Sequence, residues 1–191
     1  MGRWEPEARE RLMVAALDLF GEQGYENTGV AQIAERAGLT KSTFFRHFRD
    51  KREVLFGGQD ELVSLIAAGI EGTPASAGAL KAVEGALVAI GVTFTDSRRA
   101  NGPRRLAVIA ANAELRERDA LKMAGFSGVI KDGLLLRGVQ EVEAAVAAEL
   151  GVLALRIAYG RWLEAGGDFA DVARPALEEV AAAAAALEGA E

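Results

Sequence analysis

The chain has 191 residues, half of them hydrophobic, so it can bury a sizeable core in one or two compact units. It has no cysteine, which excludes disulfides and thiolate metal sites and fits a reducing cytoplasm, and its net charge of −6 argues against a general nucleic-acid binder. No apolar run reaches the roughly 18 residues that a membrane span needs, and the first residues lack the apolar core of a signal peptide, so we expect a cytoplasmic protein with no membrane partner.

Glycine residues divide the N-terminal part of the chain into short helical patterns. The first predicted helix covers roughly residues 6–23 and ends at Gly24. Its apolar stripe consists of Leu12, Ala16, Leu19 and Phe20. The second predicted helix covers roughly residues 29–37, with Thr28 as its N-cap. Gly38 suits the left-handed conformation that closes a helix, so we expect a tight turn there.

Thr40 can cap a third predicted helix over residues 41–47, and this helix has two distinct faces. Phe44 and Phe48 are four residues apart, so both can face inward. A neighbouring face presents three residues to solvent: Lys41, Ser42 and Phe45. Two short helices joined by a glycine turn, the second with polar and basic residues facing outward, predict a helix-turn-helix that binds double-stranded DNA.

Asp50 and Glu53 have the spacing of a capping box, which predicts a fourth helix over residues 51–71. Gly57 and Gly58 interrupt this helix, and each costs about 1 kcal/mol relative to alanine in a helix interior. We therefore expect a kink or hinge at this pair, which would couple ligand binding to the spacing of two recognition helices.

Basic residues are concentrated around the predicted helix-turn-helix. Residues 36–52 contain six cations and one acid, a net charge of +5: Arg36, Lys41, Arg46, Arg49, Lys51 and Arg52 against Asp50. A basic patch on an acidic protein suits a site-specific DNA binder, because non-specific affinity grows with the number of phosphates neutralised. Lys41 and Lys51 begin predicted helices, where a cation costs about 0.3–1 kcal/mol, so we expect them to bind phosphate. The alternative is two solvated surface lysines.

The rest of the chain continues the alternation of helical patterns and breaks. We expect five further helices at roughly 77–96, 103–111, 112–137, 140–165 and 168–187, with a loop over 97–102. No segment alternates like a strand, so the predicted fold is all-α with about nine helices. The last two helices are long and rich in alanine, which favours close helix packing and a homodimer interface. The alternative is an ordinary solvated end helix.

The stretch from Ala15 to Phe56 resembles the TetR (tetracycline-repressor) family of bacterial transcription regulators. The resemblance rests on an ordered set of matches: Leu19-Phe20, Gly24-Tyr25, Ile33-Ala34, Ala37-Gly38, Thr43 to Phe48 and Asp50-Lys51. It implies a homodimeric repressor with a DNA-binding domain at residues 1–56. A helical domain at residues 57–191 would bind a small effector and form the dimer, and the operator would be an inverted repeat.

Two groups of residues are predicted to contact DNA. The candidates for reading bases are Lys41, Ser42 and Phe45. The candidates for positioning phosphates are Thr28, Thr43, Arg46, His47 and Lys51, of which Arg46 can equally face solvent. The family usually has a tyrosine at position 45, and Phe45 lacks the hydroxyl that reaches a phosphate. We expect this ring to touch a thymine methyl instead.

The resemblance also implies an effector pocket in the helical domain. Its candidate lining residues are Leu62, Ile66, Leu87, Phe94, Met123, Phe126, Ile130, Tyr159 and Trp162. Few charges lie among them, which favours a largely apolar effector. A basic cluster lies at Arg98, Arg99, Arg104 and Arg105. It is either solvated or approaches the DNA-binding domain or an anionic effector.

The sequence does not favour catalysis. His47 is the only histidine, so no transition-metal site is expected, and no catalytic triad, phosphate-binding glycine loop or cofactor motif occurs. Two alternatives to a ligand-responsive repressor remain. One is a regulator of the same fold that activates transcription or senses a partner protein. The other is a helical interaction or lipid-carrying module whose helix-turn-helix is vestigial. Specific DNA binding with a steep salt dependence separates this module from both kinds of regulator.

Overall fold

The computed structural model describes residues 5–187, with side chains from residue 8, and this part of the chain contains helices and no strand. The elements are α1 (Glu5–Gln23), α2 (Val30–Arg36), α3 (Lys41–His47), α4 (Glu53–Phe56), α5 (Gln59–Glu71), α6 (Ala79–Ala89), a 3-10 helix (Ile90–Thr93), α7 (Asp96–Ala111), α8 (Ala113–Leu136), α9 (Glu141–Ala165) and α10 (Phe169–Ala186). The all-α prediction is confirmed. Nine of these described α-helices have seven residues or more, and α4 is a single turn. None of the helices described is both long and apolar enough to cross a membrane.

The chain forms two compact units. The N-terminal unit comprises the residues up to Gly58 together with Asn101–Asp119, and the C-terminal unit comprises Gln59–Ala100 together with the residues from Ala120 onward. Helices α7 and α8 therefore each contribute to both units. The sequence did not indicate that residues 101–119 belong with the N-terminal unit. The division into functional domains after residue 56 stays a prediction.

Helices α1, α2 and α3 form the N-terminal unit around one apolar core. The predicted stripe of α1 is buried, and Ile33 of α2 and Phe44 of α3 are fully buried beside it. Later elements complete this core with Leu55, Phe56, Val108, Ile109 and Leu115. Full burial of a leucine, isoleucine or phenylalanine side chain contributes about 1.5–3 kcal/mol, so this core fixes the three helices against each other.

The C-terminal unit has a separate apolar core built mainly from α5, α6, α8, α9 and α10. Helices α5 and α6 cross very closely at two glycines, Gly69 and Gly85. A Cβ atom added at Gly69 would lie 2.7 Å from Cα of Ala86 and 2.8 Å from the carbonyl carbon of Gly85. Only hydrogen fits at that position, so this crossing depends on glycine.

The fourth predicted helix is broken in the structure. It begins at Glu53 rather than Lys51, ends at Phe56, and resumes at Gln59 as α5. Asp50 Oδ1 accepts from the Glu53 N–H at 3.0 Å, but Arg52 is the cap residue of α4 and the Glu53 carboxylate accepts from the backbone N–H of Arg49, so the predicted capping box forms only in part. At the break Gly57 is extended, with φ −59° and ψ 153°, and Gly58 has φ +82°, a region that glycine adopts most readily.

The predicted loop over residues 97–102 is wrong, because α7 runs through it and includes Pro103. A proline inside a helix removes one backbone hydrogen bond and crowds the preceding turn. Tertiary contacts outweigh that cost here. Arg104 forms an ion pair with Asp18, and Arg105 Nε donates to the Leu55 carbonyl at 2.6 Å. These two arginines of the basic cluster therefore bind α1 and α4 within the N-terminal unit.

Candidate nucleic-acid interface

The turn between α2 and α3 has the geometry that the sequence predicts. Gly38 has φ +66° and directly follows Ala37, the C-cap residue of α2. The Gly38 N–H donates to the Glu35 carbonyl at 2.9 Å, and the Leu39 N–H donates to the Ala34 carbonyl at 2.8 Å. This pair of bonds is a Schellman motif, which satisfies the terminal carbonyls of α2 and turns the chain sharply.

The start of α2 differs from the prediction, because Thr28 is not its N-cap. Gly29 is the cap residue, and its N–H donates to Gln32 Oε1 at 2.7 Å. The Thr28 hydroxyl donates to the Gly24 carbonyl at 2.8 Å, and the residue is only 2% exposed. Its side chain is therefore used to close the loop after α1, and a phosphate contact from Thr28 stays a prediction.

Helix α3 begins and ends where the sequence predicts, at Lys41 and His47. The Thr40 side chain accepts from the Thr43 N–H at 3.1 Å, which confirms Thr40 as the N-cap. Thr43 is therefore partly engaged in the cap, and its hydroxyl also lies 3.0 Å from that of Thr40.

The two faces of α3 are separated as expected. Phe44 and Phe48 are buried and pack with their ring centroids 5.5 Å apart. The three candidate base readers are all exposed, and 54% of Phe45 is accessible: Lys41, Ser42 and Phe45. A large exposed aromatic ring beside a cation and a hydroxyl provides both an apolar and a hydrogen-bonding contact for base edges.

Two further residues predicted to contact phosphate lie at the C-terminal end of α3. Arg46 is exposed. His47 is half-buried, and its Nε2 atom is enclosed by protein with no hydrogen-bond partner among the residues that the structure describes. A buried polar atom without a partner costs about 1–3 kcal/mol. A phosphate bond from His47 Nε2 therefore requires this ring to turn outward.

Lys51 lies in the turn before α4 and not at a helix N-terminus, so the macrodipole argument does not apply to it. Its ammonium group donates to the carbonyls of Tyr25 at 2.7 Å, Thr28 at 3.2 Å and Glu26 at 3.4 Å. It also lies 4.2 Å from the centroid of the Tyr25 ring. Burial raises the pKa of Tyr25 to about 12, so this ring is neutral at physiological pH. Lys51 therefore links the turn before α4 to the loop that leads into α2.

We expect Lys51→Met to lower the free energy of unfolding by about 1–3 kcal/mol, since hydrogen bonds from a charged donor to three carbonyls are lost. Lys41→Met is the matched control, because Lys41 is exposed and has no partner among the described residues. Urea unfolding of both variants checks this. Equal stability of the two variants would contradict a structural role for Lys51.

Two other cations of the basic patch are bound to acids. Arg36 makes two parallel bonds to the Glu22 carboxylate, at 2.9 and 2.7 Å, and this bonding lowers the pKa of Glu22. Arg52 binds Asp50 at 2.8 Å and Glu114 at 3.3 Å. Burial raises the pKa of Asp50, but the bonds from Arg52 and from backbone N–H groups outweigh it and lower that pKa below its usual value.

The nine residues predicted to line an effector pocket belong to one region of the C-terminal unit. Six of them are buried in its core, namely Leu62, Ile66, Leu87, Phe126, Ile130 and Trp162. Phe94, Met123 and Tyr159 are partly buried and pack against that core.

An aromatic cluster lies among these residues and includes Phe169, which the sequence reasoning missed. Phe94 stacks on Phe169 with centroids 3.6 Å apart and meets Trp162 edge-on at 5.1 Å. The Tyr159 hydroxyl is enclosed near this cluster, and no residue in the described part of the chain forms a hydrogen bond with it. Phe169 follows a glycine break and directly succeeds the α10 cap, Asp168, so an apolar residue at the first position of a helix was the available signal.

Comparison with known proteins identifies the N-terminal helices. Residues 12–57 match the family described as bacterial regulatory proteins, tetR family. The regulator TcmR of Streptomyces glaucescens is 42% identical over 43% of this chain and 36% of its own length. The transcriptional activator FasR of Mycolicibacterium smegmatis is 35% identical over 34% of this chain and 29% of its own length. The matched part therefore spans about a third of these relatives.

A solved structure shares the fold over most of the chain. SmeT, the repressor of the Stenotrophomonas maltophilia multidrug efflux pump SmeDEF, has been solved as a triclosan complex. It aligns with a TM-score of 0.60 and 18% identity, covering 92% of this chain and 90% of SmeT. The arrangement of helices in this chain is therefore that of SmeT. Its residues 12–57 are similar to the tetR family of bacterial regulatory proteins.

Proposed function

We propose that this chain is a cytoplasmic, sequence-specific DNA-binding repressor that responds to a ligand and performs no catalysis. The observation that carries this proposal is the exposed face of α3, where Lys41, Ser42 and Phe45 lie together on a helix held by the Thr40 cap and the Gly38 turn. Lys41 can donate to guanine O6 or N7, and Phe45 can contact a thymine methyl. Thr28, Thr43, Arg46, His47 and Lys51 remain the proposed phosphate contacts.

We propose that the operator is read by a homodimer formed through α9 and α10. Three exposed apolar residues of α9 support this, because their spacing places them on one helix face: Val142, Val146 and Leu153. An apolar stripe of this kind is stabilised when a second copy covers it. Two recognition helices related by a two-fold axis contact half-sites roughly 34–36 Å apart, which requires an inverted-repeat operator.

We further propose that the effector is a small, largely apolar molecule bound in the C-terminal unit. The aromatic cluster supports an apolar ligand, and the unpartnered hydroxyl of Tyr159 supports one polar group on it. The triclosan complex of SmeT, a protein of the same fold, is consistent with a small-molecule site.

We propose that the glycine break at residues 57 and 58 is a hinge that couples effector binding to DNA release. The chain passes from the N-terminal to the C-terminal unit directly after Gly58. Gly58→Ala places a side chain at φ +82°, which disfavours the present backbone conformation by about 1 kcal/mol or more.

We expect Gly58→Ala to change operator affinity and effector-induced release together, by several-fold. Both are measured by equilibrium titration of a fluorescent operator with and without effector. Gly78→Ala is the control, because Gly78 has a negative φ and an added Cβ there meets nothing within 4 Å. A Gly58→Ala protein with unchanged affinity and unchanged release would exclude the hinge.

A second candidate function is activation of transcription by the same DNA-binding fold. The relative FasR is a transcriptional activator, so this comparison is compatible with activation as well as with repression. Placing the selected operator upstream of a reporter distinguishes the two, because a repressor lowers reporter output in the absence of effector and an activator raises it.

Selection of bound duplexes from a random DNA pool tests the proposed function. We expect recovery of an inverted repeat, and loss of selection at one base pair of each half-site with Lys41→Ala. If folded wild-type protein enriches no sequence at low salt, the regulator is excluded and the helical interaction or lipid-carrying module becomes the better explanation.

A further inference from the structure

The basic patch of residues 36–52 contains six cations, but the structure uses three of them internally. Arg36 and Arg52 are paired with carboxylates, and the ammonium of Lys51 donates to three carbonyls. A paired arginine that meets DNA brings its carboxylate with it, so the pair adds little net charge toward the phosphates. Fewer cations are therefore available to DNA than the sequence suggests.

The remaining three cations of the patch are exposed and have no side-chain partner in the described part of the chain: Lys41, Arg46 and Arg49. Exposed cations without an internal partner are the ones that can neutralise phosphate without first breaking a bond. The sequence alone did not indicate Arg49 as a DNA contact, because it lies beyond the end of α3.

The backbone around Arg49 fixes the direction of its side chain. Phe48 is extended, with φ −141° and ψ 133°, and its ring is buried beneath the guanidinium of Arg9 at 5.1 Å. Successive side chains of an extended segment point to opposite sides, so Arg49 points away from the core into solvent. The backbone N–H of Arg49 donates to the Glu53 carboxylate, and this bond holds the backbone at the junction of α3 and α4.

We propose that Arg49 is a phosphate-contact residue, and that Arg36 and Arg52, whose charges are paired with carboxylates, do not neutralise DNA charge. The inference rests on the proposed DNA-binding function and assigns the charge contacts within it. Lys51 donates to neutral carbonyls, which leave its charge intact, so it counts as a fourth cation that neutralises phosphate.

The salt dependence of DNA binding provides a quantitative test of this assignment. The slope of log K against log salt is about −0.9 per phosphate neutralised on duplex DNA. A dimer in which each protomer offers Lys41, Arg46, Arg49 and Lys51 neutralises about eight phosphates, which predicts a slope of about −7. If all six cations of each patch took part, the slope would be about −11.

The test compares Arg49→Gln with Arg36→Gln, using the selected operator between 50 and 300 mM salt. Both changes remove one exposed cation per protomer, so long-range charge effects are matched, and only Arg36 has an internal carboxylate partner. We expect Arg49→Gln to reduce the magnitude of the slope by about 2 and Arg36→Gln to leave it unchanged. Thermal unfolding confirms that both variants are folded, and a structural role alone would not alter the slope.

Three results would overturn the inference. The first is an unchanged slope for Arg49→Gln while wild type binds with a steep slope. The second is an equal reduction by both variants, which would reflect net charge rather than contact. The third is a wild-type slope near −11. Wild-type protein without salt-dependent DNA binding would instead exclude the proposed function, and the inference with it.

Discussion

Lys41→Ala is expected to lower operator affinity by roughly 30-fold to 20,000-fold, because a well-placed lysine–guanine contact contributes about 1–3 kcal/mol and each dimer loses two. Lys41 is exposed on α3 and has no partner among the described residues, so its removal does not disturb the fold. Fluorescence anisotropy with the selected operator measures the loss.

The same variant should also change which sequences are bound. A base-reading residue specifies one position, so Lys41→Ala should relax selection at one base pair in each half-site, whereas loss of a phosphate contact weakens binding to all sequences alike. Lys81→Ala is the matched control, since Lys81 is an exposed lysine of α6 that pairs with Glu84. Uniform weakening across sequences would contradict base reading by Lys41.

Gly69→Ala is expected to destabilise the C-terminal unit by about 3 kcal/mol or more, the upper range for overpacking a close-packed site. The added Cβ would meet the Gly85 backbone and Cα of Ala86 in the neighbouring helix, and neither can move without separating α5 from α6. Urea unfolding followed by tryptophan fluorescence measures the change.

Gly128→Ala is the control for this prediction. Gly128 lies inside α8, and an added Cβ there has no atom within 4 Å. Alanine has the higher helix propensity by about 1 kcal/mol, so this variant should be as stable as wild type or slightly more stable. Similar unfolding midpoints for Gly69→Ala and Gly128→Ala would show that the helix crossing is less tight than described.

The sequence predicted the recognition region well because its determinants are local. The Thr40 cap, the Gly38 turn and the spacing of Phe44 and Phe48 act over five residues or fewer. Local hydrogen bonds and side-chain periodicity therefore fixed the bounds of α3 and the identity of its exposed face.

The errors arose where distant residues compete with local preference. The Lys51 ammonium binds carbonyls 23 to 26 residues away, which no local spacing indicates. Residues 97–102 were expected to form a loop because of Pro103, but Arg104 and Arg105 bind partners 86 and 50 residues away and α7 continues. The Thr28 hydroxyl could accept from an N–H of α2 as its cap or donate to the Gly24 carbonyl, and in the structure it donates to Gly24.

The aromatic cluster of the C-terminal unit shows a different limit. The sequence indicated Phe94, Tyr159 and Trp162 as neighbours through the family resemblance, but the stacking of Phe94 on Phe169 depends on how α10 folds back along α9. Side-chain periodicity predicts which face of a helix is buried and does not predict which helix covers it.

Titration of the wild-type chain with the selected inverted repeat and with a scrambled duplex of the same composition tests the central claim most directly, namely that α3 reads a specific DNA sequence. At about 150 mM salt we expect the inverted repeat to bind at least 1,000-fold more tightly, with two protomers in each complex. Equal affinity for the two duplexes, from protein shown to be folded, would contradict the claim.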